Sequence, residues 1–336
     1  MPGAHQLDTR QEPRVAVSVV IATKDRPALL ERCLAALSRQ TLPPHSCEVL
    51  VVDDGPHDTT EAVVRRWSLR PSHAHWRYLR TGLAHGPAAA RNAGWRLACG
   101  TIVAFTDDDC IPDAGWLEAG LRRFDDPQID GLWGRIVVPL PMPPTDWERN
   151  VAGLERAPCA TANCFYRRSV LLKTGGFDER FTEAWREDSD LQFSVLRAGG
   201  RVVPDEQALV VHPVRPAPWG ISIRLQRQNR FNALLFKKYP DLYRRHNPHE
   251  PPMAYYAASA SLLCGGLALA QGQVALATLG ASIFCWLSLA FCLRRLRGTS
   301  RHPKHVAEML VTSLIIPPYA VFWRLYGAVK YRVAFF

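Results

Sequence analysis

The sequence predicts an α/β sandwich on a mostly parallel sheet, followed by a C-terminal transmembrane helical hairpin. Three observations carry this. Between Val15 and Phe105, short apolar runs alternate with helix-spaced segments. Several of the runs end in a polar cluster, at Thr23-Lys24-Asp25, Asp53-Asp54 and Asp107-Asp108-Asp109. Two charge-free stretches, Met253 to Ala270 and Val274 to Leu293, follow much later.

The elements follow in order. Val15 to Ala22 is almost wholly apolar, as a strand covered on both faces must be. Pro27 suits the first turn of a helix, and Leu29, Leu30, Cys33, Leu34 and Leu37 give that helix one apolar face. Val49 to Val52 reads as a second buried strand. Asp58 and Glu61 have capping-box spacing before the next helix. Trp76 to Leu79 is a short strand, Pro87 to Ala98 an Ala-rich helix, and Thr101 to Phe105 a further strand. Strand alternating with helix in this rhythm argues for parallel pairing. Ligands of such sheets bind beyond the carboxyl ends of the strands, where the three polar clusters fall.

After Gly131 the rhythm changes. Pro139 to Pro144 is a loop, Cys159 to Arg168 is mixed, and a helix runs from about Glu187 to Ala198. The expected organisation is a polar tail (1–14), an α/β domain (15–245, divided into halves 15–130 and 131–245), a hairpin (253–293) and a basic, apolar or amphipathic end (294–336).

The two charge-free stretches would rise about 27 and 30 Å as helices, close to the hydrocarbon thickness of a bilayer. Only Gln271-Gly272-Gln273 separates them. Lys237, Lys238, Arg244 and Arg245 precede the hairpin, and Arg294, Arg295, Arg297, Arg301 and Lys304 follow it. The positive-inside rule then puts both ends in the cytoplasm, against an anionic leaflet of the plasma (inner) membrane. Val306 to Val329 reads as a third span or as an interfacial amphipathic segment, and its Glu308, Pro317, Pro318 and Arg324 favour the second.

The net charge of +10 points to an anionic partner. The basic clusters border apolar spans and lack interleaved aromatics, which favours anionic lipid and excludes nucleic acid. The nine cysteines show no C-x-x-C pair. Cys33, Cys99, Cys264 and Cys285 lie in apolar stretches and read as reduced, buried thiols. Met1 to Arg14 is polar, without the apolar core of a signal peptide, so the soluble part is expected in the cytoplasm.

Three consecutive acids behind a buried strand repel one another, and a hard divalent cation relieves that repulsion. A capped acidic turn is the competing reading. Taken in order, Val17 to Thr23, Val51-Val52-Asp53-Asp54-Gly55, Ala90-Arg91-Asn92-Ala93-Gly94, the acid run, Gly175-Gly176-Phe177-Asp178-Glu179 and Glu187-Asp188-Ser189-Asp190-Leu191 resemble a family 2 glycosyltransferase of the membrane-anchored bacterial type. The resemblance covers about Val15 to Val211. It implies a GT-A fold, a nucleotide-diphosphate sugar donor, a divalent metal (Mn2+ or Mg2+) and transfer with inversion, in the biosynthesis of cell-envelope polysaccharide or glycolipid.

By that resemblance Asp107 and Asp109 are the metal pair. Asp108 and Asp109 are the alternative, with one of the acids reaching the ribose. His212 would complete the shell. Thr23, Asp25 and Asp54 fall where the family contacts base and ribose, although Asp25 stands where an aromatic is common. Arg91 would balance a phosphate or pair with one of the acids. Asp188 is the implied general base, with Glu187 second, and both also suit an ordinary helix N-terminus. Arg227-Gln228-Asn229-Arg230-Phe231 departs at both ends from the Gln-x-x-Arg-Trp pattern of processive synthases, so Arg224, Arg227 and Arg230 are expected to face lipid headgroups. The acceptor is expected at the membrane, lipid-linked or a glycan. A nucleotidyltransferase lacks support, because Thr23-Lys24-Asp25-Arg26 carries no phosphate-binding glycines. An inactive scaffold would not need the retained acids.

Overall fold

Strands β1 (Val17–Thr23), β2 (Cys47–Asp53), β3 (Ala74–Arg80) and β4 (Ile102–Asp107) pair in parallel in a computed structural model that describes residues 15–43, 45–70, 74–82, 85–247 and 252–335. The tail 1–14 lies outside the described residues. Helices α1 (Pro27–Leu37), α2 (Thr59–Ser68) and α3 (Pro87–Arg96) make the crossovers. With helices as covers, both faces of β1 and β2 are buried, which is why those strands read as unbroken apolar runs. Full burial of one such Leu or Ile contributes about 1.5–3 kcal/mol over exposure. Helix α3 lies close against the sheet: a Cβ at Gly94 would sit 2.5 Å from Val20 Cγ1, so no larger residue fits there.

The sheet then turns antiparallel. After β5 (Ile111–Pro112), α4 (Trp116–Arg123) and β6 (Gly131–Val137), strand β7 (Cys164–Arg167) pairs with β4 on one side and β6 on the other. Among the described residues the eight-stranded order is β3-β2-β1-β4-β7-β6-β8-β5, with β8 spanning Val202–Val211. The sheet is therefore mixed, parallel from β3 to β4 and antiparallel from β4 through β7 to β6, the architecture expected from the resemblance.

The chain forms two compact units. Unit 1 holds residues up to Ile136, Pro158–Thr182 and Ser194–His212, and unit 2 holds Val137–Ala157, Glu183–Phe193 and Pro213–Phe336. Hydrogen bonds between distant segments explain the assembly of unit 2. In that unit, Arg149 donates to the Arg295 carbonyl at 2.9 Å, and the Ser300 amide to the Pro144 carbonyl at 2.8 Å.

Unit 2 contains α5 (Asp146–Val151), α8 (Ile221–Leu225), α9 (Arg230–Lys238) and α10 (Pro240–His246). It ends in α11 (Met253–Ala270), α12 (Val274–Leu296) and α13 (Pro303–Tyr331), all three long and apolar enough to cross a membrane. Helix α13 is one 29-residue helix that runs through Pro317 and Pro318, and it starts three residues before the segment anticipated from the sequence. Helices α11 and α12 touch at Gly265 and Gly280, where a Cβ on Gly280 would meet Gly265 Cα at 2.7 Å.

Several local expectations are corrected. Asp58 makes no cap; its carboxylate pairs with Arg80 at 2.7 Å. The capping box forms instead at Thr145 and Glu148. Arg227 and Arg230 both bind Glu183, at 3.0 and 2.6 Å; Arg230 is thereby drawn in from the surface, whereas Arg227 stays exposed. Arg295 is also withdrawn from any lipid surface: it is buried against Asp146 at 2.9 Å. All nine cysteines are free, but Cys99, Cys264 and Cys285 are exposed. For Cys264 and Cys285, apolar neighbours in sequence did not imply burial, since outward faces of membrane-type helices are themselves apolar; Cys99 lies in the loop between α3 and β4.

Candidate active site

The carboxyl ends of β1, β2 and β4 lie level, with Thr23 opposite Asp53 and Ala22 opposite Asp107. The chain turns as it leaves β4, the Cys110 amide donating to the Asp107 carbonyl at 3.1 Å. Next comes the short strand β5, where Ile111 pairs with Val211 at the end of β8. That two-residue ladder sets Asp109 and Cys110 beside His212.

The three acids occupy three different surroundings. Asp107 accepts from the buried Arg91 at 2.9 Å. Asp108 accepts from Thr23 Oγ1 at 2.7 Å and from Arg26 at 3.2 Å. Burial pushes the Asp108 carboxyl up to about 6; Arg26 and then Thr23 pull it down, and Asp109 and Asp107 add to the rise. Asp109 meets His212 Nε2 at 3.5 Å, both residues buried.

Donor atoms of Asp109, Cys110 and His212 all lie within 4.8 Å of one another. His212 Nδ1 is buried without a hydrogen-bond partner. Cys110 donates to the Ala162 carbonyl, and burial, followed by Asp107 and Asp109, holds its thiol well above the ordinary range. A thiol is in any case a soft donor, less suited to a hard cation than carboxylate or imidazole. The remaining set of carboxylate oxygen and imidazole nitrogen suits Mn2+ or Mg2+ better than a soft metal.

Asp54 is held in place by the loop before α3: it accepts from Thr81 Oγ1 and the His85 amide at 3.0 Å each and from the Gly86 amide at 3.1 Å. Lys24 stands 4.0 Å away. Asp25 is exposed, with φ of 53°. Asp adopts this left-handed backbone more readily than most residues. The bend falls between β1 and Arg26, the partner of Asp108. Arg26 was not anticipated; its only signal in the sequence was its place directly after the first polar cluster.

Glu187 and Asp188 belong to unit 2 and open α7 (Glu187–Arg197). Glu187 is buried and Asp188 half-buried. Asp188 accepts from the Ser189 amide at 2.6 Å and the Ser189 hydroxyl at 3.2 Å. Asp190 is paired with Lys238 at 2.6 Å. Directly before them, Arg186 has φ of 73°, a left-handed conformation that costs a non-glycine residue about 1–3 kcal/mol. It is held there by Asn232 at 2.8 Å and Asn247 at 3.0 Å, with the guanidinium over Trp185 and Tyr243. Nothing in the sequence singled out Arg186.

A parallel sheet edge carrying clustered carboxylates, on this topology, defines the class of GT-A transferases. The family model for glycosyl transferase family 2 matches residues 18–183. Glycosyltransferase AglE of Haloferax volcanii is 30% identical over 211 residues, covering 60% of this chain and 67% of that protein. Validoxylamine A glucosyltransferase of Streptomyces hygroscopicus subsp. limoneus is 29% identical over 301 residues, covering 77% of this chain and 61% of that protein. The pre-mycofactocin glycosyltransferase of Mycobacterium tuberculosis is 31% identical over 216 residues, covering 59% and 43%. Among solved structures, the mannosyltransferase PcManGT from Pyrobaculum calidifontis, in complex with GDP-Man and Mn2+, has a TM-score of 0.62 at 21% identity, covering 94% of this chain and 88% of that one. This last likeness is one of fold. The chain belongs to glycosyl transferase family 2 and is a glycosyltransferase.

Proposed function

We propose that this enzyme transfers a sugar, with inversion, from a nucleotide-diphosphate donor to a membrane-associated acceptor that is lipid-linked or a glycan. The observation that carries the reading is the meeting of Asp109 and His212 at the carboxyl edge of the sheet, 3.5 Å apart and buried. Asp109 and His212, with Asp107 or Asp108 turning in, would hold a divalent cation. When bound, the cation supplies neutralisation of charge on the diphosphate leaving group. The complex of PcManGT with GDP-Man and Mn2+ supports both the donor class and the metal.

Thr23, Asp25 and Asp54 are assigned to the base and ribose. Asp54 suits this because three donors from one loop fix its orientation before any ligand arrives. Arg91, the counter-charge to Asp107, would also balance a donor phosphate. Asp188 accepts the proton of the acceptor hydroxyl as that oxygen attacks the anomeric carbon from the face opposite the leaving diphosphate. One displacement inverts the configuration. Glu187, fully buried, is the second choice.

Helices α11 to α13 would anchor the enzyme. Arg244, Arg245, Arg294, Arg297, Arg301 and Lys304 are exposed on flanks that the positive-inside rule assigns to the cytoplasm, next to anionic lipid of the plasma membrane. The test is a screen of nucleotide sugars with Mn2+ and membrane lipid extract, reading released nucleoside diphosphate. Release with one sugar nucleotide, lost in Asp109→Ala, is the expected result. Neither release nor calorimetric binding of any nucleoside diphosphate would overturn the reading.

A further inference from the structure

A cavity of about 640 Å3 lies wholly within unit 2, within the size range of small-molecule sites. Trp147, Trp185, Tyr255 and Phe291 are among its walls. The charged groups on those walls are already engaged. Arg295 gives Nε and Nη2 to Asp146, Nη1 to Thr312 and Ser313, and Nη2 also to Ser222. Glu308 accepts from the Gly220 amide at 2.7 Å, and Glu148 is committed to its capping box. His305 stands apart: it is buried, it lines the cavity, and its Nε2 has no hydrogen-bond partner.

Position narrows the occupant. Tyr255 lies in the first turn of α11, Arg295 in the last turn of α12 and His305 in the first turn of α13. The Gln271–Gln273 turn closes the opposite end of the hairpin. The cavity therefore sits at the end where the apolar helices leave their hydrophobic stretch, the level of lipid headgroups. Leu289, Leu293 and Leu310 on the same helices are exposed and offer an apolar path for a chain.

We propose that this cavity receives the neutral, hydroxyl-rich head of a glycolipid acceptor, a reading that rests on the transferase function above. A phosphate head would need unspent positive charge, and of the two arginines on the wall Arg295 has its donors taken and Arg215 is already partnered. A sugar ring asks for aromatic faces against its C–H groups and for neutral polar partners. Trp147 and Trp185 are aromatic faces of this kind, and His305 Nε2 is a free partner for a hydroxyl. Trp185 is three residues before Asp188, so a head in this cavity borders the turn that carries the assigned base.

The experiment uses the full chain in nanodiscs of phosphatidylcholine, with a long-chain alkyl glucoside and an alkyl phosphate of equal chain length as probes. Binding is read by tryptophan fluorescence, and acceptor use by sugar transfer from the donor found in the screen. The glucoside is expected to bind and be glycosylated, and the phosphate to do neither. Trp147→Ala and His305→Ala are expected to raise the glucoside KM by about tenfold, a loss of about 1.4 kcal/mol, with little change in donor KM; His305→Gln, which keeps a hydrogen-bonding group, recovers part of it. Use of the phosphate in place of the glucoside, or an unchanged glucoside KM in both alanine variants, overturns the proposal. Glucoside binding that is lost in the variants, in a chain that turns over no donor, supports the site and overturns the transferase reading.

Discussion

Unit 1 and unit 2 bury charge in opposite ways. At the sheet edge of unit 1, Asp53, Asp54, Asp108 and Asp109 are buried, and the cations paired there are Arg91 with Asp107, Arg26 with Asp108 and the more distant Lys24 with Asp54. In unit 2 the buried cation Arg295 carries its own acid, Asp146, and three hydroxyls. An uncompensated buried charge costs several kcal/mol, so crowded acids with few cations are tolerated where a ligand is to supply the balance. Unit 2 is neutralised from within and needs no such ligand at Arg295. On the function proposed above, the difference separates a site that would receive positive charge from a cluster that holds helices together.

The sharpest way to break this comparison is at the acids themselves. Asp109→Ala and Asp188→Asn are each expected to lower sugar transfer on the order of 10³-fold. Asp109→Ala should also abolish Mn2+ binding in calorimetry, whereas Asp188→Asn should retain it; equal loss of metal binding in both would merge the two roles. On the unit 2 side, Asp146→Ala leaves Arg295 buried and unpaired and is expected to cost about 3–5 kcal/mol, seen as a fall in Tm. The double variant Asp146→Leu with Arg295→Met should recover much of that loss. No recovery would mean that the pair does more than neutralise itself.

Smaller effects sharpen the contrast. Asn92 is buried in unit 1 and fully used, donating to the Phe177 carbonyl and Glu179 and accepting from the Phe177 amide and Trp95. Asn92→Ala strands the Phe177 amide and should cost about 1–3 kcal/mol by urea unfolding. Glu48 offers a pH test. Burial raises its pKa, but Ser18, the Cys99 amide and Arg77 outweigh this and hold the carboxyl below the ordinary range. A depressed folded pKa gives stability that is present above the unfolded value and lost as pH falls through the folded one. Wild type should therefore lose Tm faster than Glu48→Gln on acidification below about pH 4.5, the usual range for a Glu carboxyl, and parallel curves would refute this.

Much of unit 1 was legible because its signals are local. The run Val17 to Ile21 announces a two-sided strand, and Pro27 and Pro87 open helices in the structure as they do in the sequence. The acid run at a strand end was visible for the same reason. Asp58 shows the limit: its spacing suited a cap, and a tertiary partner, Arg80, took the carboxylate. Arg230 and Arg295 were misassigned to lipid because their partners, Glu183 and Asp146, lie 47 and 149 positions away. Arg186 was missed because a left-handed residue other than glycine or asparagine carries no mark in composition.

By itself the sequence determined the parallel half of the sheet, the apolar helices and the family, since periodicity, charge-free length and ordered motifs are properties of neighbouring residues. Only the tertiary structure decided which acid meets His212, which segments make up each unit and which arginines are spent inside the protein. Those outcomes depend on pairing between distant segments, such as the two-residue ladder of β5 with β8, and no local pattern encodes the partner.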